Sequence, residues 1–215
     1  MDSFVVLGIG RFGQSIAKTL YEAGYEVLAI DQNEEIVQNI SDHVTHAVAG
    51  DVTDEKVLRS LGIRNFDVAI VAIGGNMESS ILITLLLKEC GVKHVLAKAQ
   101  SDLHAKVLSR VGADKVIFPE RDMGVRVAHN LVSKNILDYI ELSPDYSIIE
   151  TIVPENWDGK TLQELNVRGK YGINIMAIKN GKEINISPKA DDIIKKDDTL
   201  VVVGSNGDLN KLDRK

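Results

Sequence analysis

The chain has 215 residues, 44% apolar and 26% charged, the profile of an ordinary globular protein with one large domain or one medium and one small. Its net charge of −6 gives no basic footprint for a nucleic-acid polymer and no Lys/Arg block for anionic lipid. No apolar run reaches the roughly 18 residues of a membrane span. Met1-Asp2-Ser3 leads straight into the first strand, so no signal peptide is expected, and the single cysteine, Cys90, has no internal disulfide partner; these features predict a cytoplasmic protein.

Val5-Val6-Leu7 reads as a strand running into Gly8-Ile9-Gly10-Arg11-Phe12-Gly13, and Gln14 to Ala23 reads as a helix. Strand, Gly-x-Gly-x-x-Gly turn and helix, in that order, are the context a dinucleotide fingerprint requires. Gly8 permits the tight turn, Gly10 lets the backbone approach a pyrophosphate, and Gly13 lets the helix pack close to the strand. The helix N-terminus offers free N–H groups and a partial positive charge to a phosphate. Glu26 to Asp31 reads as the next strand. Asp31 stands about 20 residues past Gly10, where an acid that bonds ribose hydroxyls belongs. It repels a 2′-phosphate, and no Arg follows it in Gln32-Asn33-Glu34, which disfavours NADP. The alternative is a structural glycine turn with Asp31 as a surface cap.

Strands and helices keep alternating beyond it. Asn33 is placed to cap a helix to Ile40, Thr45 to Gly50 reads as strand, and Thr53 or Asp54 is placed to cap a helix to Leu61. Asp67 to Ile73 is a continuous apolar run, as a strand buried on both faces should be. Gly74-Gly75-Asn76 breaks it, and Met77 to Cys90 reads as an apolar helix. His94 to Lys98, Ser101 to Val111 and Lys115 to Phe118 complete the series as strand, helix and strand. Repeated βα units predict a Rossmann-like, doubly wound parallel sheet over 1–119, with a ligand crevice at the strand carboxyl ends. Asp51, at one such end, is read either as an acceptor for an adenine amine or as a helix N-cap.

A connecting helix is expected from Glu120 to about Asn135, within a 120–137 segment. Glu120 is read either as complementing the helix dipole or as lending an oxygen to a divalent cation, although one carboxylate alone makes no metal site. The pattern then changes. Tyr146 to Val153, Ile173 to Lys179 and Thr199 to Val203 read as strands, Leu162 to Leu165 as a short helix, and Asn180-Gly181 as a hairpin turn. Gly204 is read as the stop of the last strand. This predicts a small α+β lobe over 138–215, of a size that often dimerises.

Chemistry beyond binding is hard to find. Tyr21, Tyr25, Tyr139, Tyr146 and Tyr171 all lack a Lys four residues on, and none of His43, His46, His94, His104 and His129 follows a strand end as a dehydrogenase acid would. No Walker-A Gly-Lys-Ser/Thr occurs. An NAD(H)-dependent oxidoreductase therefore stands as the alternative to a nucleotide sensor.

Val6 to Gly13, Gly62-Ile63-Arg64-Asn65-Phe66-Asp67, Gly112-Ala113-Asp114, Pro119 to Gly124, Arg168 to Asn174 and Ser187-Pro188 together resemble the cytosolic regulatory subunits of bacterial Ktr potassium-uptake systems, Trk-type proteins with RCK domains (regulators of potassium conductance). The resemblance implies ATP or ADP, or else NAD or NADH, in the N-terminal lobe, with Arg11 at the phosphates, Asp31 at the ribose and Asp51 near the adenine. It implies that Glu120 helps hold a divalent cation, Mg or Ca, beside the nucleotide at a subunit contact. The C-terminal lobe would dimerise and bind cyclic di-AMP, with Arg168 and Asn174 at its phosphates and base and Pro188 packing nearby. The implied assembly is a homo-oligomeric ring, an octamer in relatives, peripheral to the membrane beneath a potassium-translocating Ktr/Trk-type subunit.

Overall fold

The computed structural model describes residues 2–132 and 135–213. In chain order the first part reads β1 (Ser3–Leu7), α1 (Arg11–Glu22), β2 (Glu26–Asp31), α2 (Glu34–Ile40), β3 (His46–Ala49), α3 (Glu55–Ser60), β4 (Val68–Val71), α4 (Met77–Glu89), β5 (His94–Lys98), α5 (Asp102–Arg110) and β6 (Lys115–Ile117). The six strands form one parallel sheet in the order β3-β2-β1-β4-β5-β6. This is the Rossmann-like, doubly wound arrangement. The chain order reverses between β1 and β4, and that switch point opens a crevice beyond the strand carboxyl ends.

Alternate residues of each strand enter opposite cores, because side chains alternate across a sheet. Val5, Leu7, Leu28, Ile30 and Val71 pack on one face, and Val6, Val27, Ala29 and Ile70 on the other. Polar side chains start the helices: Asn33 Oδ1 accepts from Glu35 N–H at 2.9 Å, Asp54 Oδ1 from Lys56 N–H at 2.8 Å, Asn76 Oδ1 from Ser79 N–H at 3.0 Å, and Ser101 Oγ from His104 N–H at 3.2 Å.

The second part contains α6 (Pro119–Val132), β7 (Ile136–Ser143), β8 (Tyr146–Ile152), α7 (Leu162–Leu165), α8 (Val167–Tyr171), β9 (Asn174–Asn180), β10 (Glu183–Asn185), β11 (Thr199–Ser205) and α9 (Asn206–Asp213). Residue contacts divide the chain into compact units at 1–119 and 120–215. The five strands of the second unit form an antiparallel sheet, β10-β9-β11-β8-β7, over a core of Ile149, Trp157, Ile173, Leu200 and Val202.

Several details depart from the sequence expectation. The connecting helix runs to Val132; residues 133–134 lie outside the described set, and Ile136 already belongs to a strand. That strand, β7, is an edge strand interrupted by two register shifts against β8, so its alternation is broken and its pattern is weak. Gly204 does not stop β11 but lies inside it, opposite Ser147, and a Cβ there would stand 2.8 Å from Ile173 Cγ2.

Candidate functional site

The crevice of the first unit is built mainly from backbone. Gly8 leaves β1 with φ of +90°, and its N–H donates to the Ile30 carbonyl at 2.9 Å. A side chain is strained in that conformation, and a Cβ there would also stand 2.8 Å from Ile73 Cγ1. α1 begins at Arg11, three residues earlier than the sequence suggests, with Gly10 as its N-cap. No side chain caps this helix, and no acidic residue stands in its first turn. A Cβ on Gly10 would meet nothing within 4 Å, so the backbone there is open to a ligand. At Gly13 the helix meets the Gly8 carbonyl so closely that a Cβ would lie 2.0 Å from its oxygen.

Asp31 ties the same turn together. Its Oδ2 accepts from Ile9 N–H at 2.7 Å and its Oδ1 from Asn33 N–H at 2.9 Å. Each carboxylate oxygen has a further lone pair for a ribose hydroxyl. Asp31 lines a cavity of about 240 Å³ with Gly8, Thr53, Asn76 and Ser79. Asp51 stands just outside it, exposed, with Oδ1 accepting from Thr53 Oγ1 at 2.6 Å and Thr53 N–H at 2.9 Å. The Thr53 hydroxyl and N–H hold the Asp51 carboxyl below its ordinary pKa. The N-cap reading of Asp51 falls, since Asp54 caps α3. Arg11 is exposed in the first turn of α1, whereas Phe12 packs against the core beneath it.

Lys98, Thr53, Asn76 and Ser79 escaped the sequence reading. Lys98 is 8% exposed at the end of β5, with Nζ 5.7 Å from the Phe12 ring centroid and 3.1 Å from where a Cβ on Gly74 would stand. A lysine ending the strand His94-Val95-Leu96-Ala97-Lys98 was the available signal, because the carboxyl end of a parallel strand faces the ligand crevice. Asn76 was visible as the polar break after Gly74-Gly75.

In the second unit the site is made by side chains. Asn166, with φ of +42°, joins α7 directly to α8, and its Oδ1 accepts from Gly169 N–H at 3.3 Å. α8 ends at Gly172, with φ of +71°, and the chain turns into β9, where Asn174 Oδ1 accepts from Arg168 Nε at 2.7 Å. Arg168, Asn174 and Pro188 together line an open cleft of about 410 Å³, with Asn166 and Lys189 beside them. Glu120 lies exposed in the first turn of α6. Among the described residues no three His, Cys, Asp or Glu side chains gather as a metal site.

Both units have known counterparts. Residues 4–119 match the TrkA-N domain family and residues 148–215 the TrkA-C domain family. The chain is 52% identical over 212 residues to Ktr system potassium uptake protein C of Bacillus subtilis (strain 168), covering 99% of this chain and 96% of that protein. The chain belongs to the Ktr potassium-uptake family. Ktr system potassium uptake protein A of the same organism is 49% identical over 210 residues, covering 98% of this chain and 95% of that protein. Among solved structures, the GsuK RCK domain superposes with a TM-score of 0.69 at 18% identity, covering 99% of this chain. The Ktr-family chain spans about half of that structure, 47%, so this likeness concerns the RCK fold alone. As to the membrane, no helix among the described residues is long and apolar enough to cross one.

Proposed function

We propose that the chain is the nucleotide-sensing, non-enzymatic gating subunit of a potassium-uptake system, held at the cytoplasmic face of the membrane by a potassium-translocating partner. One observation carries the reading. The open N-terminus of α1 at Gly10 and the Asp31 carboxylate belong to one turn, so a phosphate and a ribose are recognised together. ATP or ADP binds there, with NAD or NADH as the alternative occupant. Its phosphates meet the first-turn N–H groups and Arg11, its ribose meets Asp31, and its adenine lies toward Asp51. Glu120 supplies one oxygen to a Mg or Ca ion, whose remaining ligands are phosphate, water or a second subunit. Arg168, Asn174 and Pro188 bind cyclic di-AMP, which their convergence on one cleft supports.

The chain forms a ring, an octamer by the family resemblance. ATP and ADP differ by one phosphate, and that charge biases the ring between two shapes. Each ligand shifts the ring only by its difference in affinity for the two. A thermal-unfolding series with ATP, ADP, NADH and cyclic di-AMP tests the proposal. A ligand at a hundred times its dissociation constant adds about 2.7 kcal/mol. Stabilisation by ATP or ADP, with an additive gain from cyclic di-AMP, is expected. Stabilisation by NADH alone, together with NADH turnover on a carbonyl substrate, overturns it.

A further inference from the structure

His104 lies in the first turn of α5 and is 1% exposed. Both ring nitrogens are engaged. Nδ1 accepts the Gln100 N–H at 3.3 Å, and Nε2 stands 2.8 Å from Ser80 Oγ. A backbone N–H only donates, so Nδ1 carries no proton and the single imidazole proton sits on Nε2, facing the Ser80 hydroxyl. Burial pushes the imidazole pKa below its ordinary 6.5.

Both contacts reach the rim of the crevice. Ser80 follows Ser79, which lines the cavity beside Asn76, the cap of α4. Gln100 follows Lys98-Ala99 off the end of β5, and Ser101 caps α5 through the N–H of His104 itself. The charged groups on the packed elements are Glu78, Lys88 and Glu89 on α4, Lys98 on β5, Lys115 on β6, and Asp102, Lys106 and Arg110 on α5. Of the ring's own partners, the Ser80 hydroxyl accepts the Nε2–H in either state, whereas the Gln100 N–H accepts nothing and opposes a proton on Nδ1.

We propose that His104 is a positioning residue for the crevice and acts only as a neutral imidazole: a proton on Nδ1 sets two N–H donors against each other, frees Gln100, loosens the first turns of α4 and α5, and weakens ligand binding in acid. The proposal rests on the reading of the crevice as a nucleotide site. The sign follows from linkage. A base whose folded pKa is depressed contributes fully above its unfolded pKa, and that contribution is lost as pH falls through the folded value.

Two measurements on the full chain test it. The first is hydrogen exchange of the segments 76–82 and 99–105 without ligand, corrected for the intrinsic pH effect. From about pH 7.5 to about pH 5.5 protection should fall in the wild type, by up to about tenfold because an opened imidazole of ordinary pKa 6.5 is about ten to one protonated one unit below it, and stay level in His104→Gln. The second is ADP affinity by calorimetry, which should drop more over that range in the wild type than in His104→Gln. The variant comparison removes titration of the nucleotide's own phosphates. Equal protection at both pH values in the wild type overturns the proposal, whether or not ADP binds and whether or not the variant folds. PH-dependent protection with unchanged ADP affinity overturns the coupling to the ligand. PH-dependent protection without any ADP binding supports the lock and counts against the nucleotide reading instead.

Discussion

In the first unit, the groups poised for a ligand are backbone N–H groups at Gly10 and a carboxylate fixed by two backbone N–H donors. In the second, they are an exposed guanidinium and an exposed amide bonded to each other. A site made of backbone is inseparable from its fold, so damage to it should appear as lost stability and lost binding together. A site made of exposed side chains should lose binding with little change in stability.

The strongest challenge to that contrast is Gly13→Val. Its Cβ would lie 2.0 Å from the Gly8 oxygen, and overpacking of this severity costs at least about 3 kcal/mol. Thermal unfolding should show the first unit melting early while the second unit keeps its transition; an unshifted first transition breaks the comparison. Asp31→Ala comes next. It strands the buried Ile9 N–H, at about 1–3 kcal/mol, while the exposed Asn33 N–H turns to water. The stabilisation by ADP should vanish with it, and a variant that loses stability yet still responds to ADP would remove Asp31 from the site.

Arg168→Ala tests the other side. The unfolding midpoint should stay within about 3 °C, because the side chain is exposed. Cyclic di-AMP affinity should fall about tenfold to a hundredfold, the worth of a hydrogen bond to a charged group. Unchanged affinity in a binding titration would take Arg168 out of the cleft's function. The smallest effect is expected for Asp138→Asn. Arg126 makes a bidentate pair with Asp138 and holds its carboxyl below the ordinary range. A depressed carboxyl contributes stability above its unfolded pKa of about 3.9 and loses it as pH falls further. The variant should therefore drop by about 2 °C or less at neutral pH, since the pair is partly exposed. Below about pH 4 its stability should vary less with pH than that of the wild type.

The same contrast explains what could be read beforehand. Strands β1, β2 and β4 are buried on both faces, so each is a plain apolar run, and Gly8 and Gly13 are demanded by contacts of a few ångströms. Asp31 was legible by spacing. Lys98 carried only the signal of ending a parallel strand, and a lysine there looks like any surface lysine until the Gly74 backbone closes over it. In the second unit, β7 exposes Leu137, Ile140 and Leu142 on a shifted register and imitates a loop. Arg168 and Asn174 are six residues apart and meet across Gly172, whose left-handed φ of +71° ends α8 and turns the chain into β9. The ligand role expected of them rests on resemblance alone.

The helices α2 to α5 each begin on a side chain that closes the first turn, whereas α1 begins on a bare glycine. On the proposed function, a phosphate arriving there would complete the helix in the way Asn33 or Asp54 completes its neighbours. The ligand would then be the last residue of the secondary structure, supplied from outside the chain, and sensing and folding would draw on the same few N–H groups. A Gly10→Ser change that let the helix finish itself would make the first unit sturdier and, by the same bond, less able to feel the nucleotide.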